Sequence, residues 1–213
     1  MKRATLLLVL LLLSAFAFAQ ESEPELKTLF GNGKITHGGY GALSVGYSSI
    51  DSRNTLLVGG RGAWLINHRI GIGFSGTGFL SETSFDETLN SRYQLAGGYG
   101  GLFFEYIVNP SQPIHVSFPL TIGAGAATYV RNNGVFSNDF GFYREEDSDA
   151  FFVIEPGIEL EMNMLKFMRM AVGVSYRYTS NVNLEYSENN TLIGPAGMLR
   201  GINAGITLKF GKF

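Results

Sequence analysis

From residue 38 to the end of the chain, apolar and polar positions alternate with period two, in segments broken by turn-forming clusters. That period belongs to strands with two unlike faces. Eight segments are predicted, at 38–49, 55–67, 69–80, 92–108, 114–130, 151–163, 167–179 and 199–210. The seventh, FMRMAVGVSYRYT, shows the pattern well. Met168, Met170, Val172, Val174, Tyr176 and Tyr178 make one face, and Arg169, Ala171, Gly173, Ser175 and Arg177 the other. In the fourth segment the first half is ambiguous, and its glycine run is a candidate bulge.

The connections alternate as well. Residues 67–68, 109–113 and 163–165 are tight turns, whereas 81–90, 131–149 and 180–198 are long and polar. The remaining one, SIDSRN at 49–54, is of modest length. An even number of strands with short turns at one end and long loops at the other predicts an all-β fold, a transmembrane eight-stranded antiparallel up-and-down β-barrel. Such a barrel holds its termini and short turns in the periplasm and its long loops outside the cell.

A soluble barrel of eight strands is apolar inside and polar outside, and a membrane barrel is the reverse. The face opposite the apolar one decides between them. It carries Gly71, Gly73, Gly123, Gly125, Gly157, Gly173 and Gly205. A solvated surface has no use for glycines, which weaken a strand, but a narrow barrel interior has little room for side chains. The same face holds Arg61, Arg169, Arg177 and Lys209 with Glu105, Glu155, Glu159 and Glu161, equal numbers of each sign. Enclosed charges must be paired, so this set is read as an interior charge network. The turn at 163–165 is expected to bring Arg169 beside Glu159 and Glu161. Aromatics at two levels are read as interface girdles: Tyr47, Phe79, Phe152, Tyr176 and Tyr178 towards the long loops, and Trp64, Tyr106 and Phe210 towards the short turns.

Composition narrows the picture further. Lys2 and Arg3, the apolar run Leu6–Leu13 and Ala17-Phe18-Ala19 before Gln20 have the layout of a cleaved secretory signal, 1–19. Residues 20–37 read as a periplasmic leader and 38–213 as the barrel domain. The chain has 16 basic residues, Lys2 and Arg3 included, against 18 acidic ones, which argues against nucleic acid as a partner. It has no cysteine, which excludes disulfides and thiolate metal sites. Its 28 glycines and 13% aromatic residues suit a sheet with close backbone contacts.

The signal ending AFAQ, the stretch LLVGGRGAWLINHRIGIGFSGTGF and the ending ITLKFGKF carry a resemblance to a known family. Over residues 38–213 the chain resembles small outer-membrane β-barrel proteins of the OmpA/OmpX type, in the form common in Bacteroidetes-like bacteria. The resemblance implies an integral outer-membrane protein among lipid and lipopolysaccharide. It implies delivery by the barrel assembly machinery, with the terminal aromatic Phe213 resembling the assembly signal. Gly211 and Lys209 stand where that signal prefers apolar residues, and the apolar register runs instead through Leu208 and Phe210.

Candidate chemistry is sparse. GIGFSG at 71–76 matches G-x-G-x-x-G but lies inside a strand, where the dinucleotide motif needs a strand before it and a helix after it. His115 and Ser117 share a strand face and resemble the His-x-Ser pair of lipid A deacylase barrels, in which the His is base and the Ser nucleophile. They lie near the end of their strand away from the long loops, so no catalytic residue is assigned. REEDSD at 144–149 lacks the spacing and glycine of a calcium loop, and His37 and His68 are isolated. No metal or cofactor is assigned. The expectation is a monomeric, non-enzymatic barrel with a filled interior, acting in envelope structure or surface interaction through its long loops towards an unknown surface ligand. The alternatives are a narrow pore or conduit for small or hydrophobic molecules, and a lipid A-modifying enzyme.

Overall fold

The alternating segments form long strands that close on themselves. The computed structural model describes residues 35–131, 145–187 and 189–213. The strands are β1 (His37–Ile50), β2 (Arg53–Ile66), β3 (Ile70–Ser81), β4 (Ser84–Asp86), β5 (Ser91–Val108), β6 (Ile114–Arg131), β7 (Glu145–Leu165), β8 (Met168–Thr179) and β9 (Gly201–Lys212). All pairings are antiparallel, in the order β3-β2-β1-β9-β8-β7-β6-β5, and β3 also pairs with β5. Those eight strands make a closed barrel. The three-residue β4 only extends the β5 edge beyond the rim. Closure leaves no open edge, the condition for a sheet in lipid. The expected signal (1–19) and most of the expected leader lie outside the described residues, and β1 already begins at His37.

The apolar face points outward. Leu43 is 69% exposed, Phe152 75% and Ile202 68%, and outward positions on every barrel strand are similar in kind. Such a continuous apolar surface is untenable in water and fits lipid. Inside, the side chains fall into zones. One apolar cluster holds Tyr40, Ala42, Ala63, Leu65, Phe103 and Ile107 near the tight-turn rim. Another, built around Leu57, Phe79, Tyr99, Tyr129 and Phe151, fills the long-loop end. The charged residues interleave with both, Lys209 and Arg61 opposite Ala42 of the first and Arg177 against Phe79 and Tyr99 of the second.

Several expectations change. The SIDSRN connection is a two-residue turn, with Asp51 and Ser52 both at positive φ (50° and 61°). That matches the mirror-image hairpin turn whose twist suits the flanking strands. Residues 145–149 of the acidic segment belong to β7 and pair with β6, so the acidic run is not a free loop; Arg144 lies outside the described residues. β7 also runs on to Leu165, leaving Lys166 and Phe167 as its turn to β8. The glycine run 97–101 holds its register on both sides. The irregularities fall instead at Tyr129/Val130 and Asn163/Leu165. Phe79 is no interface aromatic. It follows the parity of Gly71, Gly73, Ser75 and Thr77 and is buried inside the barrel. The other assigned girdle residues, Tyr47, Trp64, Tyr106, Phe152, Tyr176, Tyr178 and Phe210, face outward.

Candidate functional site

The interior charges come from strands that are far apart in sequence and meet because inward positions repeat every second residue. Three carboxylates, Glu105 on β5 and Glu159 and Glu161 on β7, converge on one ammonium. Lys209 Nζ lies 2.5 Å from Glu105 Oε1, 3.3 Å from Glu159 Oε2, and also contacts Glu161 Oε1. Arg61 grips Glu159 with both nitrogens, Nη1–Oε1 at 2.9 Å and Nη2–Oε2 at 2.6 Å. Arg169 Nη1 approaches Glu161 at 3.5 Å. The Tyr40 hydroxyl donates to Glu105 Oε2 at 2.6 Å. A carboxylate triad this tight has the shape of a cation site. Here the cation is built in, because Lys209 touches all three and Arg61 and Arg169 complete the neutralisation. Pairing of this kind is what makes enclosed charge tolerable.

Arg177 and Glu155 lie apart from that lattice. They are opposed on β8 and β7, by the register that joins Ile154↔Tyr178 to Gly157↔Ser175. Glu155 accepts hydrogen bonds from the Ser175 hydroxyl (2.5 Å) and the Asn203 amide (2.7 Å). The buried Arg177 donates from Nε to the Leu199 carbonyl at 2.6 Å, and its guanidinium lies 5.9 Å from the rings of both Phe79 and Tyr99. So the eight predicted charges all lie inside, six of them in one lattice. Arg169 stands opposite Asn163 in the ladder and reaches Glu161 diagonally.

Between the lattice and Arg177 lies a cavity of about 120 Å3. Its wall includes Ser44, Ser75, Thr77, Tyr99, Thr121 and Asn203. Inward glycines on adjacent strands, Gly46, Gly205 and Gly173, share one level and keep this space open.

His115 does not make a catalytic pair with Ser117. Its Nδ1 faces the Gln112 carbonyl at 3.0 Å and its Nε2 faces Glu161 Oε2 at 3.1 Å. Both ring nitrogens are engaged, and Ser117 is completely buried. His37 stacks on Trp64, with ring centroids 5.3 Å apart, and His68 lies in the β2–β3 turn. Phe213 turns inward at the tight-turn rim. It stacks on Tyr40 with centroids 5.7 Å apart, and the Arg169 guanidinium sits 4.1 Å over its ring.

The long-loop mouth is covered by a strap, residues 180–187 and 189–200, that the sequence pattern reads as plain loop. Val182, Leu184, Met198 and Leu199 insert into the apolar cluster there. Asp149 Oδ2 accepts the Asn183 amide and Asp147 Oδ2 the Glu185 amide, both at 2.8 Å. Asp86 Oδ2 accepts the hydroxyls of Tyr129 and Tyr186, also at 2.8 Å, and its Oδ1 caps the Thr88 and Leu89 amides. Burial opposes ionisation of Asp86, but the hydrogen bonds from Tyr186, Leu89, Tyr129 and Thr88 outweigh it and hold this carboxyl below its usual range. Burial and the same hydrogen bond raise the Tyr186 hydroxyl. Val182, Leu184 and Tyr186 alternate with polar residues, but over one short stretch inside a long polar segment that lacks a second such run.

The sequence matches no protein-family model and no curated protein. Among solved structures the chain is similar to neisserial surface protein A, at 10% identity over 85% of this chain and 100% of that one, with a TM-score of 0.53. It also aligns with the N-terminal β-barrel domain of Pseudomonas aeruginosa OprF, at 10% identity over 84% of this chain and 99% of that one, with a TM-score of 0.46. Alignment with Yersinia pestis Ail in complex with the heparin analogue sucrose octasulfate gives 11% identity over 82% of this chain and 97% of that one, with a TM-score of 0.42. The first of these shares the fold, a small outer-membrane-type barrel.

Proposed function

We propose that this is an integral outer-membrane barrel whose filled interior makes it a scaffold, and that it acts in envelope structure or surface interaction through its long-loop end. One observation carries the reading: the interior is closed off at both ends, with a cavity of about 120 Å3 between them. The Phe213–Tyr40 stack and the charge lattice fill one end, and the strap and its apolar cluster fill the other. With the wall given to lipid and the lumen closed at both ends, the loop rim is the surface left for recognition. In this reading the termini are periplasmic, the strap is extracellular, and the chain is a monomer. Lipid and lipopolysaccharide surround it, and Phe213 is read by the assembly machinery before it is buried. It is not an enzyme.

The first test is planar-bilayer conductance of the refolded mature chain beside Arg169→Ala. A silent wild type with a leaking variant supports a lumen sealed by ion pairs. Steady wild-type conductance overturns it in favour of a narrow conduit, the second reading, which the cavity of about 120 Å3 favours. In cells, trimming the strap and the β6–β7 tip should change surface adhesion or detergent sensitivity while the barrel still assembles. His115→Ala should leave lipid A composition unchanged.

A further inference from the structure

Two prolines lie side by side in the barrel wall at the level of the cavity. The β6–β7 ladder holds Ser117↔Glu159 and Leu120↔Pro156 in one register, and the two pairs between them, at Phe118 and Pro119, are missing. The β7–β8 ladder holds Ile154↔Tyr178 and Gly157↔Ser175 and likewise skips the pairs at Glu155 and Pro156. Proline has no N–H to give to a ladder. In lipid no water replaces the lost partner. Each of residues 155–158 is therefore laddered on one side only, 155–156 to β6 and 157–158 to β8, whereas β5 and β6 pair without a break from Tyr93↔Arg131 to Val108↔Val116.

The two faces of this segment differ. Inward, Glu155 and Gly157 border the cavity with Pro119, Ser175, Tyr99 and Asn203. Tyr99 and Asn203 are 6% and 5% exposed. Among the described residues, Asn203 Oδ1 has no hydrogen-bond partner, and Tyr99 Oη, beside Glu155 and Arg177, makes no hydrogen bond of ordinary geometry. Buried polar atoms in that state call for a guest. Outward lie the apolar side chains of Phe118, Ile154, Ile158 and Val174.

We propose that residues 155–158 form a lateral seam through which the cavity takes the uncharged hydroxyl head of a single-chain amphiphile from the bilayer. A hydroxyl head supplies a donor for Asn203 Oδ1 and an acceptor for Tyr99 Oη. It is uncharged because the charged groups of the wall already have partners: Arg61 holds Glu159, and Glu155 accepts from the Ser175 hydroxyl and the Asn203 amide. The cavity of about 120 Å3 accepts a head of glycerol size, given roughly 30 Å3 for one water. The chain of the guest passes the gap and lies on Phe118 and Ile158. The seam needs only that the outer face meets lipid, and it stands whatever the loops bind.

The test uses the full mature chain in phospholipid nanodiscs, with 1-monoolein as probe. Bound monoolein is counted by native mass spectrometry, and contact is read from the Asn203 side-chain amide signal by NMR. The wild type should retain one monoolein and shift that signal. Asn203→Leu and Tyr99→Phe should each bind about tenfold more weakly, the size of one lost buried hydrogen bond. The double variant Pro119→Val/Pro156→Val restores both N–H groups, so it should slow monoolein entry and protect the amides of 155–158 from exchange. Tyr99→Phe changes one atom and keeps the test valid if Asn203→Leu fails to fold. Equal retention in all variants would mean lipid on the outer wall only. An Asn203 signal that reports water but never monoolein would mean a hydrated cavity without a lipid guest. Either result overturns the proposal.

Discussion

Arg61 on β2 and Glu159 on β7 stand on opposite sides of the barrel and meet in a two-pronged ion pair, at 2.9 and 2.6 Å. Four strand-to-strand steps separate β2 from β7 in either direction round the ring, so this contact spans the lumen. It ties two halves of the wall together at the level where the interior changes from charge lattice to cavity.

Breaking that pair from one side should be costly. Arg61→Ala leaves Glu159 enclosed with Lys209 as its remaining cation, at 3.3 Å. Loss of one partner from a buried pair costs about 3–5 kcal/mol, whereas replacing both partners with apolar residues of similar volume is often neutral. Urea unfolding of the refolded barrel in lipid should therefore show Arg61→Ala strongly destabilised. The double variant Arg61→Met/Glu159→Leu should recover most of the loss. Additive losses in the double variant would mean that the pair does not act as a unit.

Gly205 and Gly41 should respond in opposite ways to a side chain. Gly205 pairs with Gly46 where the first and last strands close the barrel. A Cβ at Gly205 would lie 2.7 Å from the Val45 carbonyl oxygen and 3.0 Å from Gly46 Cα, both backbone atoms that cannot step aside. Gly41 faces outward, and a Cβ there meets nothing within 4 Å. Gly205→Val should cost on the order of 3 kcal/mol or prevent closure, and Gly41→Val should be tolerated. The heat-dependent gel shift of folded barrels separates the two outcomes.

Strand positions and the lipid face were legible because both rest on a period of two, and the exposed Leu43, Phe152 and Ile202 obey it. The interior charges were legible by the same parity. Their pairing was not. Lys209 collects Glu105 from 104 residues away and Glu161 from 48, and the stagger between strands decides such contacts. Phe79 shows the converse failure, since its parity placed it inside while its aromatic character invited an interface assignment. The strap was missed because its alternation, Val182, Leu184 and Tyr186, is too short to stand out in a long polar segment. Val182, Leu184, Met198 and Leu199 gain a role only once the mouth of the barrel exists.

Acid should loosen the strap before it unfolds the barrel. The Asp86 carboxyl is held below its usual range by its hydrogen bonds. A carboxylate with a lowered folded pKa contributes stability that is present above its unfolded value, near 4, and is lost as pH falls through the folded value. Amide exchange in residues 181–199 should therefore quicken as pH falls below about 4, after correction for intrinsic rates, with the strands still protected. Asp86→Asn should quicken exchange at neutral pH and flatten its dependence on acid. An unchanged acid response in Asp86→Asn would mean that Asp86 does not hold the strap.

Arg177 should anchor the strap from inside the barrel. It is completely buried, its Nε donates to the Leu199 carbonyl at 2.6 Å, and Nη2 reaches the Ser48 hydroxyl at 3.3 Å. Arg177→Met keeps the bulk between Phe79 and Tyr99 but removes the donor, so the Leu199 carbonyl loses its partner at a cost of about 1–3 kcal/mol. That cost falls on strap docking, because the backbone pairing of Arg177 with Gly201 of β9 does not depend on its side chain and remains. Protease cleavage within 181–199 should rise sharply, while the folded barrel keeps its gel mobility. If cleavage is unchanged, the strap is held by its apolar insertions alone. If the barrel also fails to fold, Arg177 belongs with the charge lattice as a determinant of closure, opposite Glu155.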